Sequence, residues 1–520
     1  MATNAPLANP HEPTRGRRSV WKLHAGVFVV LLAVYVLTCQ RGPAWQDSGI
    51  FQWRILRFDL VGWLGLALSH PLLILLGKAF SQLPFGPLAW RMNLVSAVCG
   101  ALAGANVAVL VRRLMPSHRA PAWFAAGLFG LAHTTWWLST ICESQAILAA
   151  LFTLELNVLL SLSRRPRGHV VLLLGGLSGL ALTAHNLALL AVPVYALAVV
   201  GLCLRRRLRW YAVGLFAVGW AVGSAGLVVL VVRQAMDTGL VPAVQSALFG
   251  VRWRSDVLGG SLRAAGMGVG FVAYNFPNAG LPLAVAGLLA LRHRPGRLVF
   301  RAFAALAGIY LLFAIRYSVP DQFMFFLPFY AMVAVLAGVG LGRLAERGAN
   351  VLAAVCLASV LIAPAVYAAM PSLARAVGLA LPGRKDLPFR DPASYWLCPW
   401  KATEDSAGLF ARAALAEVPP DGIVIADGTS LYPLLWVRHR GGISARPALV
   451  GIGEATTQRL AVGTPNVFAV SSKRGYYPEW LDEVARLRKD GKESVLFRVV
   501  WREAPGTAPG RDPGRQDIRR

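Results

Sequence analysis

Acidic side chains are scarce in this chain: 25 Asp and Glu stand against 52 Lys and Arg, and charged residues together make up 15% of its 520 residues. Soluble globular domains carry about 25% charged residues. That shortage, with 56% hydrophobic residues and a mean hydropathy of +0.54, reads as a polytopic membrane protein. A formal charge of +27 would otherwise suit a nucleic-acid binder, but with apolar runs throughout no nucleic-acid partner is expected. Cysteine is scarce as well: Cys39, Cys99, Cys142, Cys203, Cys356 and Cys398 are scattered without metal-type spacing, leaving only Cys39 and Cys142 placed to meet at the outer membrane face.

The acids that are present are unevenly spread. Nine lie in residues 1 to 370 and sixteen in residues 371 to 520. The expected organisation is a cytoplasmic disordered N-terminus (1–23), a membrane body (24–370) with a first outer loop at 40–90, an extracytoplasmic α/β domain (371–503) and a disordered tail (504–520). A helix needs about 20 apolar residues to cross the hydrocarbon core. Eleven runs qualify or nearly so: 24–39, 91–114, 121–139, 144–163, 169–184, 187–204, 210–232, 266–291, 298–315, 323–343 and 349–369. Short cytoplasmic loops collect Lys and Arg. The clusters Arg15/Arg17/Arg18/Lys22, Arg112/Arg113/Arg119, Arg164/Arg165/Arg167, Arg205/Arg206/Arg207/Arg209, Arg292/Arg294/Arg297/Arg301 and Arg343/Arg347 all fall on one side of these spans. They put the N-terminus inside and the C-terminal domain outside. The N-terminal apolar run lacks a small-residue cleavage site and reads as an uncleaved anchor.

On this topology Asp47, Asp59, Glu143, Asp237, Asp256 and Asp321 gather at the outer ends of helices, while Glu155 lies within a span. Ionisable groups at membrane depth are costly and mark function by default. The first outer loop carries Trp45-Gln46-Asp47-Ser48-Gly49, then Trp53-Arg54 and Arg57, then Ser69-His70-Pro71, and Leu72 to Leu83 reads as a helix lying in the interface. Each residue also has an ordinary reading: Asp47 as a helix N-cap, His70 as a turn residue before proline, Glu143 as the start of the next helix.

Taken in order, Gln46-Asp47-Ser48-Gly49, Ser69-His70-Pro71, Trp90-Arg91-Met92-Asn93-Leu94-Val95-Ser96-Ala97, Cys142-Glu143-Ser144-Gln145-Ala146 and Leu182-Thr183-Ala184-His185-Asn186 resemble membrane glycosyltransferases of the GT-C fold. The resemblance is to bacterial relatives of the eukaryotic O-mannosyltransferase that modifies plexin-type receptor domains, a family long catalogued as a domain of unknown function. It covers about residues 24 to 200, and Val319-Pro320-Asp321-Gln322 with Phe325-Phe326-Leu327-Pro328 is similar to a later family segment. Two departures are visible: Ile50 stands where the family often has an acid, and the Pro-Pro-Gly-Tyr-Pro after His is shortened to Pro71-Leu72-Leu73.

The resemblance implies an all-α GT-C-like body of about 11 transmembrane helices. It also implies an activity, the inverting transfer of a sugar, mannose among the candidates, from a polyprenyl-phosphate donor to an extracytoplasmic hydroxyl on a protein, lipid or glycan. It assigns the catalytic role to Asp47 and a helix-end acid role to Glu143. Such chemistry needs a carboxylate base and cationic or dipolar groups for the leaving phosphate. Arg54, Arg57, Arg91, Arg252, Arg254 and Arg316 are the cationic candidates, and His70, His185, Asn186, Asp321 and Gln322 the further substrate-binding ones. No Asp-x-Asp pair stands in the first loop, and the expectation is no metal and no cofactor.

Beyond the last span, the Pro- and aromatic-rich segment 386–401 reads as an extended linker. A helix from Asp405 to Ala416 and strands at Gly422 to Ala426, Val467 to Val470 and Val495 to Val500 follow, in an order that allows a Rossmann-like sheet without a phosphate fingerprint. Asp427-Gly428-Thr429 reads as a turn. Two other classes stay open: a transporter or flippase, against which no broken-helix pair is visible in the sequence, and a non-catalytic envelope-glycan assembly protein.

Overall fold

The computed structural model describes residues 12–251, 254–292, 297–381, 387–441, 447–457, 464–478, 483–489 and 492–500. Arg252, Arg294 and the tail 504–520 lie outside the described residues. The chain divides into two compact units, Met1–Lys385 with Arg390–Asp405, and Asp386–Phe389 with Ser406–Arg520.

The first unit is helical, as lipid requires of a chain whose backbone groups must pair internally. Among the described residues eight helices are long and apolar enough to cross a membrane: Ser19–Thr38, Leu88–Leu114, Ser144–Arg164, Asn186–Leu204, Tyr211–Thr238, Arg297–Arg316, Gln322–Glu346 and Asn350–Ala376. They correspond to eight of the eleven expected spans, and the chain is a multi-pass membrane protein. The expected span 169–184 is the shorter helix Gly168–Ala184, and Pro71–Ser81 is helical where an interfacial helix was expected. The first helix starts earlier than expected: it runs from Glu12 to Thr38, so Glu12 to Leu23 are helical rather than disordered. Nothing after Pro13 breaks it, and Arg and Lys are good helix formers.

Burial separates the spans. Within their most apolar windows, 89% of Gln322–Glu346 and 72% of both Leu88–Leu114 and Ser144–Arg164 is buried, against 22% of Ser19–Thr38, Tyr211–Thr238 and Asn350–Ala376. The first three are the packed centre and the last three keep a face for lipid. On the first helix Leu23, Val27, Leu31 and Tyr35 form a buried stripe at intervals of four residues, while Val29, Val30 and Leu37 are exposed.

Two expected spans are broken. The run 121–139 becomes Ala120–Gly130 and His133–Leu138, and 266–291 becomes Leu262–Asn275 and Gly280–Arg292 around Pro277. The sequence showed no such pair, which had weighed against a transporter. Here the breaks are closed by side chains. The Tyr367 hydroxyl accepts from the His133 amide at 2.9 Å, Asn275 Oδ1 from the Thr134 amide at 2.8 Å, and Asn278 Oδ1 from the Gly280 amide at 2.9 Å. These side chains take up backbone amides that the breaks leave without a helical partner.

The second unit holds a five-stranded sheet, β1 (Ile423–Ala426), β2 (Ala448–Gly451), β3 (Val467–Ala469), β4 (Glu483–Lys489) and β5 (Lys492–Val500), in the order β2-β1-β3-β5-β4. The first three are parallel and β5 is antiparallel to both β3 and β4. Ile425, Val467, Ala469, Tyr477 and Val499 form its core. Asp427, read as a turn, instead caps the helix Gly428–Arg440 by accepting from the Ser430 amide.

Close backbone approach joins Gly168–Ala184 to Tyr211–Thr238: a Cβ on Gly179 would stand 2.1 Å from the Trp220 carbonyl oxygen, and one on Gly223 2.1 Å from that of Gly176. Gly179→Val is therefore expected to cost about 1–3 kcal/mol, read as a lowered unfolding temperature in detergent. Gly214→Ala, where nothing lies within 4 Å, should leave that temperature unchanged or slightly raised.

Candidate active site

The first long loop is fastened to the end of the helix Leu88–Leu114 by buried amides. Gln52, on the helix Gln46–Arg57, accepts from the Ala44 amide at 2.9 Å and donates to Asn93 Oδ1 at 3.0 Å. Asn93 donates to the Gln40 carbonyl at 2.8 Å, and the Gln40 side chain reaches the Pro43 carbonyl at 3.1 Å. Such a network is stabilising only when every member is satisfied, and it fixes where the helix Gln46–Arg57 begins. Trp45 is its N-cap residue, with no side-chain cap, and Asp47 lies in the first turn, partly exposed. The ordinary reading of Asp47 as the N-cap therefore does not describe it.

The backbone here is strained. Gln46, Phe58 and His70 have φ values of 57°, 55° and 42°, three of the six positive-φ non-glycine residues among those described. His70 also precedes proline, which disfavours helical conformations further. Non-glycine residues in the left-handed region cost about 1–3 kcal/mol each and collect at functional sites.

Glu143, the residue before Ser144–Arg164, sits beneath this loop with 3% of its surface exposed. Ser48 donates to its Oε1 at 2.7 Å, and the Ser96 hydroxyl accepts from its amide at 2.9 Å and donates to its carbonyl at 3.1 Å. Burial, and then the neighbouring Asp47 charge, hold the Glu143 carboxyl well above its usual range, against the Ser48 hydrogen bond; Asp321 adds to the rise. Burial likewise raises Asp321. Tyr317 lies within reach of Asp321, Asp256 and Asp47, whose charges add to burial in raising its phenol. One end of the bundle thus carries Asp47, Glu143, Asp321 and Tyr317. Among the described residues no group of three His, Cys, Asp or Glu side chains is arranged to hold a metal ion.

The opposite end is basic. Arg113 donates to the Asn157 carbonyl at 2.7 Å and to Ser161 at 2.7 Å, Arg164 to the Arg113 carbonyl at 2.7 Å, and Arg207 to the Ser163 carbonyl at 3.2 Å. Asn93 and Arg113 lie on one helix, about 30 Å apart at 1.5 Å per residue, the thickness of the hydrocarbon core.

His70 and His185 stack at 5.1 Å and 20°, with the edges of Phe51 and Phe325 against them. Phe51, whose edge meets His70, is one turn from Asp47 on the helix Gln46–Arg57. Burial, then His185 and Arg54, keep His70 well below its usual range, and burial brings His185 to about 4.

The remaining expected residues fall apart from this centre or serve backbone. Arg54, 4% exposed, is a brace rather than a phosphate ligand. It donates to the carbonyls of Leu68 and Ser69 at 2.7 Å each and of Asp59 at 3.2 Å. Arg91 donates to the Leu83 carbonyl, and Asn186 to that of Ala247 at 2.5 Å. Gln322 is fully buried and ties the carbonyls of Ala264 and Ala314 at 3.0 and 2.8 Å. Arg316 is exposed and donates to the Gly259 carbonyl at 3.1 Å; Arg57 and Arg254 are exposed too. All six cysteines are free thiols, Cys39 and Cys142 included.

Sequence reasoning missed the segment Arg390–Asp405. Expected with the outer domain, it belongs to the first unit, and its short helix Pro392–Leu397 places Trp396 in a stack on Trp137 at 6.1 Å and the Tyr395 hydroxyl 3.4 Å from Gln46 Oε1. Its density of Pro, Trp and Tyr was the available signal.

Comparison with known proteins agrees with this architecture. Two crystal structures of ArnT from Cupriavidus metallidurans, in the apo state and bound to undecaprenyl phosphate, superpose with TM-scores of 0.60 and 0.57 at 16% and 15% identity. They cover 92% of this chain and 98% and 97% of theirs. The chain is a membrane protein of the GT-C fold. Within that class, residues 69–207 match the family model of the protein O-mannosyl-transferase TMEM260 N-terminal domain. The mouse protein O-mannosyl-transferase TMEM260 is 34% identical over 120 residues, which is 22% of this chain and 16% of the mouse protein. The family match holds His70, Arg91, Glu143, His185 and Asn186 and starts after Asp47 and Arg54.

Two outcomes are expected. Arg54→Met leaves the buried Ser69 carbonyl and the half-buried Leu68 carbonyl without their Arg54 donors and should cost about 3 kcal/mol, measured by thermal or denaturant unfolding in detergent. The histidine pair is held neutral, so the unfolded state binds more protons between its pKa near 6.5 and the folded value near 4. Stability present above pH 6.5 is lost as pH falls through that window, by up to about 1.4 kcal/mol per unit and per histidine. His70→Asn, which tolerates positive φ, should flatten the fall of unfolding temperature with acidification; an unchanged slope would contradict it.

Proposed function

We propose that this chain is a membrane glycosyltransferase that moves a sugar, mannose by its similarity to the O-mannosyl-transferases, from a polyprenyl-phosphate donor to a hydroxyl on the extracytoplasmic side. The carrying observation is the acid pair: a partly exposed Asp47 beside a buried Glu143 that accepts from Ser48, at the end of the bundle opposite the arginines. The undecaprenyl phosphate bound to the C. metallidurans ArnT structure supports a polyprenyl donor. The positive-inside distribution supports an outer location for the acids, in a bacterial inner membrane.

In this reading Asp47 takes the proton from the acceptor hydroxyl. The acceptor oxygen bonds to the anomeric carbon from the face opposite the phosphate, whose C–O bond breaks with the electron pair leaving on the phosphate, so configuration inverts. Glu143 keeps its proton, because two adjacent carboxylates resist double ionisation. It thereby leaves Asp47 the ionised member of the pair. His185, whose Nδ1 accepts from the Leu187 amide, offers a neutral Nε2–H to the leaving phosphate; His70, whose N–H is taken by the Ala184 carbonyl, stacks on it and fixes its plane; and Asp321 and Tyr317 bound the sugar side.

The test supplies polyprenyl-phosphate mannose and other labelled sugar donors, with a membrane extract as acceptor, to purified protein in proteoliposomes. Asp47→Asn should lower transfer by about 10²–10⁴-fold. Glu143→Gln should retain far more activity, and should lack the decline expected of wild type as pH rises and Glu143 ionises beside Asp47. Full transfer by Asp47→Asn would remove the base assignment; donor moved across the bilayer unchanged would identify a flippase instead.

A further inference from the structure

The segment Arg390–Asp405 follows the last span, far from the first loop in sequence, yet it is bound along its length to the helix ends that carry the acids. Tyr274 donates to the Leu397 carbonyl at 2.8 Å, Thr140 to that of Pro399 at 2.9 Å, and Gln40 to that of Glu404 at 3.2 Å. The Lys401 amide donates to the Thr38 carbonyl at 2.7 Å, and Arg375 holds Asp391 at 2.6 Å. A linker would leave these carbonyls to water.

Lys401 is the pin. Its ammonium, on a side chain 2% exposed, donates to the carbonyls of Tyr395 and Cys398 and lies 4.7 Å from the centre of the Tyr395 ring and 5.4 Å from that of Trp137. The Arg390 guanidinium stands 4.6 Å from the Tyr395 ring centre. Tyr395 is thus fixed at its carbonyl, by Lys401 and by the Trp137 indole at 3.4 Å, and at its ring by two cations. Its hydroxyl is directed to Gln46 Oε1, the side chain of the residue with φ 57° that leads into Asp47. Its phenol lies within electrostatic range of both Glu143 and Asp47.

We propose that Tyr395 is a positioning residue of the active site: pinned by Lys401, it holds Gln46 in its left-handed conformation and so sets where the Asp47 carboxylate starts its helix. This rests on Asp47 being the base. A strained residue persists only where its surroundings over-determine it. The amide network from Asn93 holds Gln52 and Ala44 on either side, and the Tyr395 hydroxyl holds the Gln46 side chain itself.

The full-length chain in lipid nanodiscs tests this as wild type, Tyr395→Phe, Gln46→Ala and the double variant. Phenylalanine keeps the ring and its cations and removes only the hydroxyl. Tyr395→Phe should lower kcat by about tenfold, as expected of a slightly misplaced base, with KM for polyprenyl-phosphate mannose changed less than about twofold. The double variant should be no worse than the more impaired single one, the mark of residues acting through one contact. Hydrogen exchange of amides 45 to 50 should quicken in Tyr395→Phe while the spans exchange as before. Wild-type kcat, additive losses or unchanged exchange at 45 to 50 would overturn the proposal. If Asp47→Asn in the same assay is fully active, or no donor is turned over, the base assignment fails instead, and the exchange measurement alone decides whether Tyr395 holds that turn.

Discussion

The hydrogen bond from Ser48 to Glu143 joins two parts of the chain 95 residues apart, and the rest of the acid site follows from it. It requires the first loop to fold back onto the start of Ser144–Arg164, which the Gln40–Asn93–Gln52 amides secure, and it requires Glu143 to be buried, which raises its carboxyl above the usual range. In the proposed reading a neutral Glu143 lets its partly exposed neighbour stay ionised. Without that asymmetry two carboxylates at the end of a membrane bundle would repel each other and any phosphate brought near them.

The fold was legible wherever a single physical rule acts along the chain. Lipid imposes length and apolarity on each span, so eight of the expected helices appear within a few residues of their places. The rule fails where neighbours substitute for the chain's own hydrogen bonds. The breaks after Gly130 and Asn275 carry apolar flanks like any span, and Tyr367, Asn275, Asn278 and Ser359 take up the amides they free. Those partners are far away in sequence or look like ordinary polar residues of a helix end. The early start at Glu12 was hidden for the opposite reason: a charged stretch reads as disorder until the helix behind it propagates into it.

The site divides in the same way. Motif order brought Asp47, Glu143, His70 and His185 to attention, and the structure sets Asp47 beside Glu143 and stacks His70 on His185. The quoted run Trp90 to Ala97 acquires a physical meaning it lacked: Asn93 and Ser96, three residues apart on one helical face, hold the loop and the Glu143 backbone respectively. Arg54 shows the limit. An arginine near an outer face is equally suited to phosphate and to carbonyls, and only its burial with Leu68 and Ser69 distinguishes the two.

Arg390–Asp405 was the part least open to sequence reasoning, because a proline-rich aromatic stretch after the last span is indistinguishable from a tether until its carbonyls find donors. Its placement also bears on how such a site tolerates change elsewhere. The matched family region begins at residue 69, whereas Asp47 and Tyr395 both lie outside it, one before and one far beyond. The matched region supplies the framework: the helices, Glu143, and the histidine pair. The turn that bears the proposed base is held instead from two sides by residues whose only common requirement is to reach Gln46 and its neighbours. A strained turn persists only while its surroundings meet the strain, so the position of Asp47 depends on this segment and on the Asn93 network at once.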